Sequence, residues 1–344
     1  MGIISLIVII ATIFFVRRLR RRRAQALKEI RKIGPSLVTT AGRDPTVFHE
    51  EDKAFDIAAR KVPRPLEEVV KLAYNLAAPA VLCHVSVSDI STGLLDSRLG
   101  GWPAWPKGKD LPKDPAGRPL VFLAQINLDD CPRLPDFPTT GLLQFFIGGG
   151  PDDTFGLYSE ETDEPVFQVI HHEDTDGLHM QNPYAGFDIS ELDTPFEEVA
   201  ASEEEEAAKF EGLYQTGLEL TFEAAYLPAD ISDNRISSDL WSRYQDALAA
   251  LSQEEAEEIK QVEHLALHAP HEKANFNVGG HPRFVQGDIR QSDDLPPGSP
   301  CLMAVGSLDD IIMWGDLGQA CFLIPKDDLV QKRFDRAVYH WDCA

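Results

Sequence analysis

The chain has 344 residues, of which 43% are hydrophobic, and its formal net charge is −24. This length and composition allow a sizeable core in one large domain or two modest ones. The charge is segregated, since residues 17–32 carry a net +8 and the rest of the chain therefore carries −32. A body this acidic repels phosphate backbones, which argues against binding to nucleic acid.

The N-terminal run from Met1 to Val16 is uncharged and mostly apolar, and an arginine cluster follows it. As a helix the run spans about 24 Å, and a snorkelling Arg17 together with Leu19 extends it toward the ~30 Å of a hydrocarbon core. Because the basic residues follow the run, the positive-inside rule keeps the rest of the chain in the cytoplasm. The sequence therefore predicts a single-pass anchor at Met1 to Leu19 in the inner, cytoplasmic membrane. Residues 17–32 would lie at the anionic surface of that membrane. The alternative is a cleaved or peripheral segment.

Residues 20–63 are predicted to be a basic juxtamembrane segment and linker, and residues 64–344 a globular domain. A helix is predicted to begin near Pro65, because proline suits a first helical turn and the apolar residues after it recur at helical spacing. A second helical stretch covers residues 237–268. Ser252 and Glu255 match a capping box, which divides this stretch into two helices that meet near Leu251.

From Val81 onward the pattern is typical of strands, with β-rich apolar runs bounded by glycine and proline. The predicted strands lie within residues 81–89, 119–128, 141–149, 164–172 and 218–228, and further apolar runs follow at 301–308, 311–316, 319–324 and 329–342. The acidic stretch 191–212 is predicted to be a solvated excursion. Together these elements predict an α+β fold that is mostly antiparallel β, with the helical stretch as an insert and the N-terminal transmembrane helix added.

A weak internal repeat relates two parts of the chain. The Gly-Gly-Trp-Pro of residues 100–103 returns as the Gly-Gly-His-Pro of residues 279–282, and shorter matches follow at nearly the same offset. We interpret this as two β-rich halves, at about residues 81–190 and 270–344, each opened by a glycine-proline turn. Glycine supplies positive φ and proline fixes the next residue, so the shared role of the repeated tetrapeptide is to turn the chain. Trp102 replaces His281 in the first copy, which weakens the argument that His281 is catalytic.

Several motifs together resemble the YwqG-like proteins, a bacterial family of unknown function. They are GGWPAWPKG, GRPLVFLAQINL, TTGLLQFFIGG, GGHPRFVQGD, MWGDLGQACFLI and the terminal RFDRAVYHWDC. The resemblance covers about Val81 to Ala344 and implies a mostly antiparallel β fold with no established activity. Some members of that family look like parts of toxin–antitoxin neighbourhoods, so the resemblance also implies an interaction role.

The candidate ligand-binding residues are polar or aromatic side chains at turns that glycine and proline bound. They are Arg98, Gln125, His281, Gln286, Asp288, Trp314 and Asp316. If the two halves bring these turns together, the side chains line one cleft. The alternative is structural: Gln125, Gln144 and Gln286 satisfy backbone groups at strand ends, while Asp288 and Asp316 cap turns.

Signatures of known chemistry are missing from the sequence. It has no GxSxG, no phosphate-binding GxxxxGK, no HExxH and no GxGxxG after a strand. The HHEDTDGLH stretch at residues 171–179 is predicted to be an exposed acidic turn rather than a metal site, since its spacing fits no ligand set. The five cysteines form no CxxC pair, which fits buried thiols in a reducing compartment. We therefore predict no catalytic residues, no metal and no cofactor.

These observations favour a non-enzymatic, membrane-anchored cytoplasmic module that binds a protein or a small ligand. The alternative is a hydrolase-type or metal-assisted enzyme that uses His281, Asp288 and Asp316, because a histidine that titrates near neutral pH suits acid–base work.

Overall fold

A computed structural model of the chain describes residues 44–90, 93–151, 154–158, 164–196, 217–273, 276–308 and 311–344. The chain divides into two units, Met1–Asp44 and Pro45–Ala344. The first unit lies outside the described residues except for Asp44, and the predicted anchor at Met1 to Leu19 lies outside them too. No helix within the described ranges is long and apolar enough to cross a membrane. The helices and strands of the described residues all belong to the second unit.

Twelve strands are described in this unit. They are β1 (Ala78–Ile90), β2 (Arg98–Leu99), β3 (Ala104–Pro106), β4 (Val121–Asn127), β5 (Leu142–Ile147), β6 (Phe167–His172), β7 (Leu178–Met180), β8 (Leu218–Leu227), β9 (Phe276–Gly279), β10 (Cys301–Gly306), β11 (Gln319–Leu323) and β12 (Val338–Asp342).

The helices are α1 (Arg64–Asn75), α2 (Ser238–Ala249), α3 (Gln253–Glu263), α4 (Ala269–Glu272) and α5 (Lys326–Val330). A single π-helical turn, His264–His268, joins α3 to α4. Short 3-10 turns lie at Glu50–Lys53, Ile189–Glu191 and Phe334–Arg336.

Ten of the strands form one sheet in the order β12-β11-β10-β9-β1-β8-β2-β4-β5-β6, and β3 pairs separately with β7. Every pairing between these strands is antiparallel. The predicted α+β class with a mostly antiparallel sheet is therefore confirmed. β4 and β5 are buried along their whole length, which explains why their sequences are continuous apolar runs rather than alternating patterns.

The strand order has the same pattern on both sides of the sheet's centre: beyond each strand of the central pair, four strands follow in chain order toward the edge. β8, β2, β4, β5 and β6 follow one another on one side of the central β1–β8 pair, and β1, β9, β10, β11 and β12 on the other. The glycine-proline turns follow β2 and β9, the corresponding strands in that order. Gly100 and Gly101 have φ of 67° and 79°, and Gly279 and Gly280 have φ of 71° and 68°. The two turns thus share the left-handed backbone that glycine adopts without a steric cost.

The two ends of the sheet lie close together and enclose the main core. Phe145 of β5 packs 4.9 Å from Phe322 of β11, and Phe167 of β6 packs 5.6 Å from Tyr339 of β12, measured between ring centroids. These side chains belong to one cluster of buried residues that draws on both ends of the sheet. The sheet therefore curls so that its edge strands meet through side chains.

The helices build a second, smaller core around α1. Leu66, Val69, Val70 and Ala73 of α1 are buried in one cluster with residues of α2 and α3. The predicted capping box is present: Glu255 N–H donates to Ser252 Oγ, and Ser252 N–H donates to the Glu255 carboxylate at 3.0 Å. The helical stretch thus breaks beside Leu251, as the sequence predicts.

Residues before α1 also pack against this unit. Ala224 N–H donates to the Pro45 carbonyl at 2.6 Å, and the rings of Phe48 and Tyr226 lie 5.6 Å apart. Residues from Pro45 onward therefore belong to the same compact unit as the strands. The predicted solvated excursion at 191–212 lies largely outside the described residues.

Candidate functional site

Arg290 lies on the loop that follows β9 and is buried between two aspartates. Asp288 belongs to the same loop, and Asp233 belongs to the loop that follows β8. Arg290 donates from Nε and one terminal nitrogen to the two carboxylate oxygens of Asp288, each at 2.8 Å. The same terminal nitrogen donates to Asp233 at 3.0 Å, and the other donates to the Ser299 carbonyl at 3.3 Å. Arg290 is 1% exposed, and the two aspartates are 2% exposed. A buried cation is tolerable here because two anions and several hydrogen bonds compensate its desolvation.

The two aspartates share a local motif. Asp288 accepts the backbone N–H and the guanidinium of Arg290, and Asp233 accepts the same groups of Arg235, in both cases two residues further on. Burial opposes ionisation of Asp233, but hydrogen bonds from Arg235 and the charge of Arg290 outweigh it and lower its pKa to about 2. Burial also disfavours the charge on Arg290, yet the hydrogen bonds and charges of Asp288 and Asp233 raise its pKa. Both aspartates therefore act as structural anions that organise tight turns.

His281 belongs to the same network. One ring nitrogen, Nε2, lies 2.8 Å from the Leu76 carbonyl, and Nδ1 lies 3.2 Å from a terminal nitrogen of Arg235. The first contact needs a donor and the second an acceptor, which fixes the neutral ring as the Nε2–H tautomer. Burial lowers the pKa of His281 to about 4. The histidine thus ties the turn after β9 to the end of α1.

A second buried polar network lies on β2, β4 and β5. Gln125 Oε1 accepts from Ala104 N–H and from Gln144 Nε2, and Gln125 Nε2 donates to the Leu94 and Asp96 carbonyls. Arg98 donates to the Leu94 carbonyl at 2.8 Å, so Arg98 and Gln125 share an acceptor. These bonds supply donors to the carbonyls of Leu94 and Asp96, which lie just before β2 and belong to no strand.

A third group lies at the surface, where two loops flank the end of β12. The first loop is residues 280–288, after β9, and the second is residues 313–318, before β11. Asp342 accepts the backbone N–H groups of Val285 and Gln286 at 2.9 and 2.8 Å, and Gln286 Nε2 donates to the Cys343 carbonyl. From the other loop, a side chain at Gly318 would collide with Asp342 and Cys343. Both loops therefore contact Asp342, the last residue of β12, and Cys343, which follows it.

The exposed residues of these loops form what we call the two-loop surface: Val285, Gln286, Asp316 and Leu317. Val285 is 48% exposed and Leu317 is 37% exposed. Below the second loop Trp314 is fully buried against Trp341 and Phe155. Trp314 thus anchors the loop that presents Asp316 and Leu317.

The structure places the predicted site residues in three groups. Arg98 and Gln125 share one network, His281 and Asp288 share a second, and Gln286, Trp314 and Asp316 lie around the two-loop surface. The bonds of Gln125, Gln144, Gln286 and Asp288 give these side chains the structural roles described as the alternative, and their binding of a ligand stays a prediction. Elsewhere, a hollow of only about 10 Å³, room for about one water molecule, is lined by residues between Leu128 and Thr139.

Four residues of these networks were not predicted from the sequence: Arg290, Asp233, Arg235 and Asp342. A signal for three of them was present, because Asp-x-Arg occurs at residues 233–235 and again at 288–290. An aspartate two residues before an arginine can accept both its backbone and its side-chain N–H groups. The histidines of the HHEDTDGLH stretch lie on β6 and β7, and only the residues between the two strands form the predicted turn. Within the described ranges, no three His, Cys, Asp or Glu side chains are placed to hold a metal ion.

The fold and these networks define an α+β domain built on a curled antiparallel sheet. Residues 97–343 match the family described as "Domain of unknown function (DUF1963)". The chain belongs to that family. No curated protein matches the sequence.

Proposed function

We propose that the chain is a non-enzymatic, protein-binding module held at the inner face of a cytoplasmic membrane by residues 1–32. The observation that carries this proposal is the two-loop surface, where Val285 and Leu317 expose apolar side chains beside the polar Gln286 and Asp316. Exposed apolar residues rimmed by polar ones are typical of protein-interaction surfaces.

The placement of the acid–base residues supports the non-enzymatic part. A general acid or base must reach the proton that it transfers. His281 is 5% exposed and both of its ring nitrogens are engaged, while the oxygens of Asp288 accept four hydrogen bonds. Asp316 lies on a different, exposed loop. No observation favours the hydrolase-type or metal-assisted alternative.

The membrane part rests on the sequence. The apolar run from Met1 to Leu19, followed by the basic residues 17–32, supports a single-pass anchor whose basic end faces anionic lipid. The acidic globular part would be repelled by the same lipid, so the surface of the domain is free to meet other proteins.

Two further proposals concern origin. The quoted motifs support a place for this chain among the YwqG-like proteins of bacteria. The strand order that reads alike on both sides of β1 and β8, with matching left-handed glycines, supports an ancient duplication of two β-rich halves.

The protein-binding role is tested with the tagged full chain in the cells that naturally make it. After treatment with an amine-reactive cross-linker, the membrane fraction is solubilised and the tagged chain is purified. We expect one protein to copurify in near-stoichiometric amount, compared with an unrelated tagged protein carrying the same residues 1–32. If the two samples capture the same proteins, the proposal fails.

A further inference from the structure

We propose that His264 and His268 bind a divalent transition-metal ion, such as Zn²⁺, on the π-helical turn that joins α3 to α4. The pairing of each imidazole with a carboxylate, the distance between the two rings, the π-helical turn and the local charge support this site. It is independent of the proposed protein-binding role, so either proposal can fail without the other.

Each of the two imidazoles faces a carboxylate with one ring nitrogen. His264 Nε2 lies 3.4 Å from Glu272, and His268 Nε2 lies 3.5 Å from Glu263. Neither Nδ1 atom has a hydrogen-bond partner among the described residues. Histidines that bind metals almost always donate their second ring N–H to a carboxylate or a similar acceptor, which orients the ring and makes the other nitrogen more basic. Both rings thus have the arrangement of a metal ligand.

One of the two carboxylates is itself held from behind. The buried Tyr244 donates from its hydroxyl to Glu263 at 2.5 Å, and the other oxygen of Glu263 faces His268. The orientation of His268 is therefore fixed through two successive side chains rather than by one exposed pair.

The two rings are close enough to share one ion. The centroids of His264 and His268 lie 6.0 Å apart. With a metal–nitrogen bond of about 2.1 Å, the centroids of two ligand rings are roughly 5–6 Å apart, from a tetrahedral angle to a linear one. A small rotation of the side chains would bring both nitrogens onto the ion. Because a catalytic zinc site has three protein ligands and this site has two, water fills the other positions and we expect only moderate affinity.

The π-helical turn gives the two histidines a fixed backbone. Ala269 N–H donates to the His264 carbonyl, five residues back. Pro270 has no N–H for the Ala266 carbonyl, and the Tyr74 hydroxyl of α1 donates to that carbonyl instead, at 3.1 Å. Single π-helical turns inside helices lie frequently at functional sites. Since α1 holds this turn in place, an ion meets a preformed backbone.

The local charge and the ligand type select the kind of ion. α3 carries five glutamates and one lysine, and the whole globular unit is acidic, so cations are concentrated near the turn. Imidazole nitrogen suits Zn²⁺, Ni²⁺ and Cu²⁺, whereas Mg²⁺ and Ca²⁺ take oxygen ligands. The sequence predicts no metal for this chain, and the site departs from that expectation.

The inference is tested with the full chain in mild detergent, carrying no polyhistidine tag and freed of metal by a chelator. Calorimetric titration with Zn²⁺ should show one ion bound per chain, with a dissociation constant in the micromolar range. Excess Mg²⁺ should leave that titration unchanged, because the ligands are nitrogens.

Variants then locate the ion. His264→Gln removes a ligand and should weaken Zn²⁺ binding by at least about ten-fold, and Glu272→Gln should weaken it about ten-fold through the orientation of the ring. His84→Gln is the matched control and should leave the affinity unchanged. The side chain of His84 is 39% exposed, against 42% for His264, and it lies 3.2 Å from Glu223 in a single histidine–glutamate pair between β1 and β8.

Thermal melts give a second measurement and show that each variant folds. Zn²⁺ should raise the melting temperature of the wild-type chain and of His84→Gln, but not that of His264→Gln. The inference is overturned if the wild-type chain binds no Zn²⁺ at millimolar concentration, or if His264→Gln and His84→Gln bind it equally. Unchanged affinity in Glu272→Gln would also contradict it, since the carboxylate would then have no part in the site.

Discussion

Individual charged residues hold the loops around the second glycine-proline turn in place. Arg290 lies between Asp288 and Asp233, and His281 reaches both Arg235 and the end of α1. These groups gain specific partners only in the folded chain, so the loops depend on these buried polar contacts as well as on the apolar cluster around Phe284 and Leu295. Changes to single members of the network should therefore be costly.

Substitution of Arg290→Met should lower the free energy of unfolding by about 3–5 kcal/mol, because it leaves the buried Asp288 without its cation and Asp233 with Arg235 alone. Chemical denaturation of the full chain in mild detergent measures this loss. Arg64→Met is the matched control, since Arg64 is 85% exposed and pairs with the partly exposed Glu68. It should cost less than about 1 kcal/mol. Equal losses in the two variants would show that the buried pair has no special importance.

His281 should make the stability depend on pH. The folded ring titrates near 4, while the unfolded ring titrates at its ordinary pKa near 6.5. Between these values the unfolded chain binds the extra proton, so stability is complete above pH 6.5 and falls as the pH is lowered toward 4. His281 alone accounts for about 3 kcal/mol over this window.

His281→Asn should therefore flatten the fall in unfolding free energy between pH 6.5 and 4, measured by denaturant titration at several pH values. Part of the slope should remain, because burial also lowers the pKa of His271 to about 4. Asp233 does not contribute to this window, since its stabilising effect is lost only below its ordinary pKa. An unchanged slope in the variant would mean that the pKa of His281 is the same in the folded and the unfolded chain.

At the scale of elements, local signals in the sequence were sufficient for α1, for the break beside Leu251 and for most strands. The Ser252–Glu255 capping box and the apolar runs of β4 and β5 depend on neighbours in sequence, which is why they could be predicted. Strand order could not, because β1 pairs with β8 and β9, more than a hundred residues away. For the same reason, the buried network around Arg290 was predicted only in part. His281 was identified from the sequence, but Asp233 and Arg290 are distant in sequence and contact each other only in the folded chain.

The capping box offers a direct test of a local element. Ser252→Ala should cost about 1 kcal/mol, because it leaves the Glu255 N–H without its side-chain acceptor. Ser237 is a matched control at the N-cap of α2, where its side chain makes no capping bond. Ser237→Ala should change the unfolding free energy by less than about half as much. The comparison fails if the two serines prove equivalent.

The second glycine-proline turn, at residues 279–282, offers another test of a local element. Gly280→Ala requires a left-handed alanine and also places its methyl group 2.6 Å from Ala80 Cβ. Gly177 has a similar φ of 77° but open space around it. Both variants bear the backbone strain of about 1–2 kcal/mol, and only Gly280→Ala adds overpacking, of about 1–3 kcal/mol. Thermal melts of the two variants should differ accordingly, and coincident melting curves would contradict a tightly packed turn.

At the scale of the whole molecule, a basic, apolar N-terminal segment precedes an acidic globular unit. Removal of residues 1–19 should release the chain from carbonate-washed membranes, whereas the full chain should stay in them. In sealed vesicles, added protease should digest the globular unit only when the cytoplasmic face is outward. Retention of the shortened chain would contradict the proposed anchor.

The central claim is that the surface, and not the buried network, carries the function. The most direct measurement is the affinity for the captured partner of the wild-type chain, of His281→Asn and of the double variant Val285→Thr with Leu317→Asn. We expect the folded His281→Asn protein to bind within about two-fold of wild type. The double variant should bind at least ten-fold more weakly, because each lost apolar contact is worth about 1 kcal/mol or more. Full binding by the double variant, or loss of binding in a folded His281→Asn protein, would contradict it.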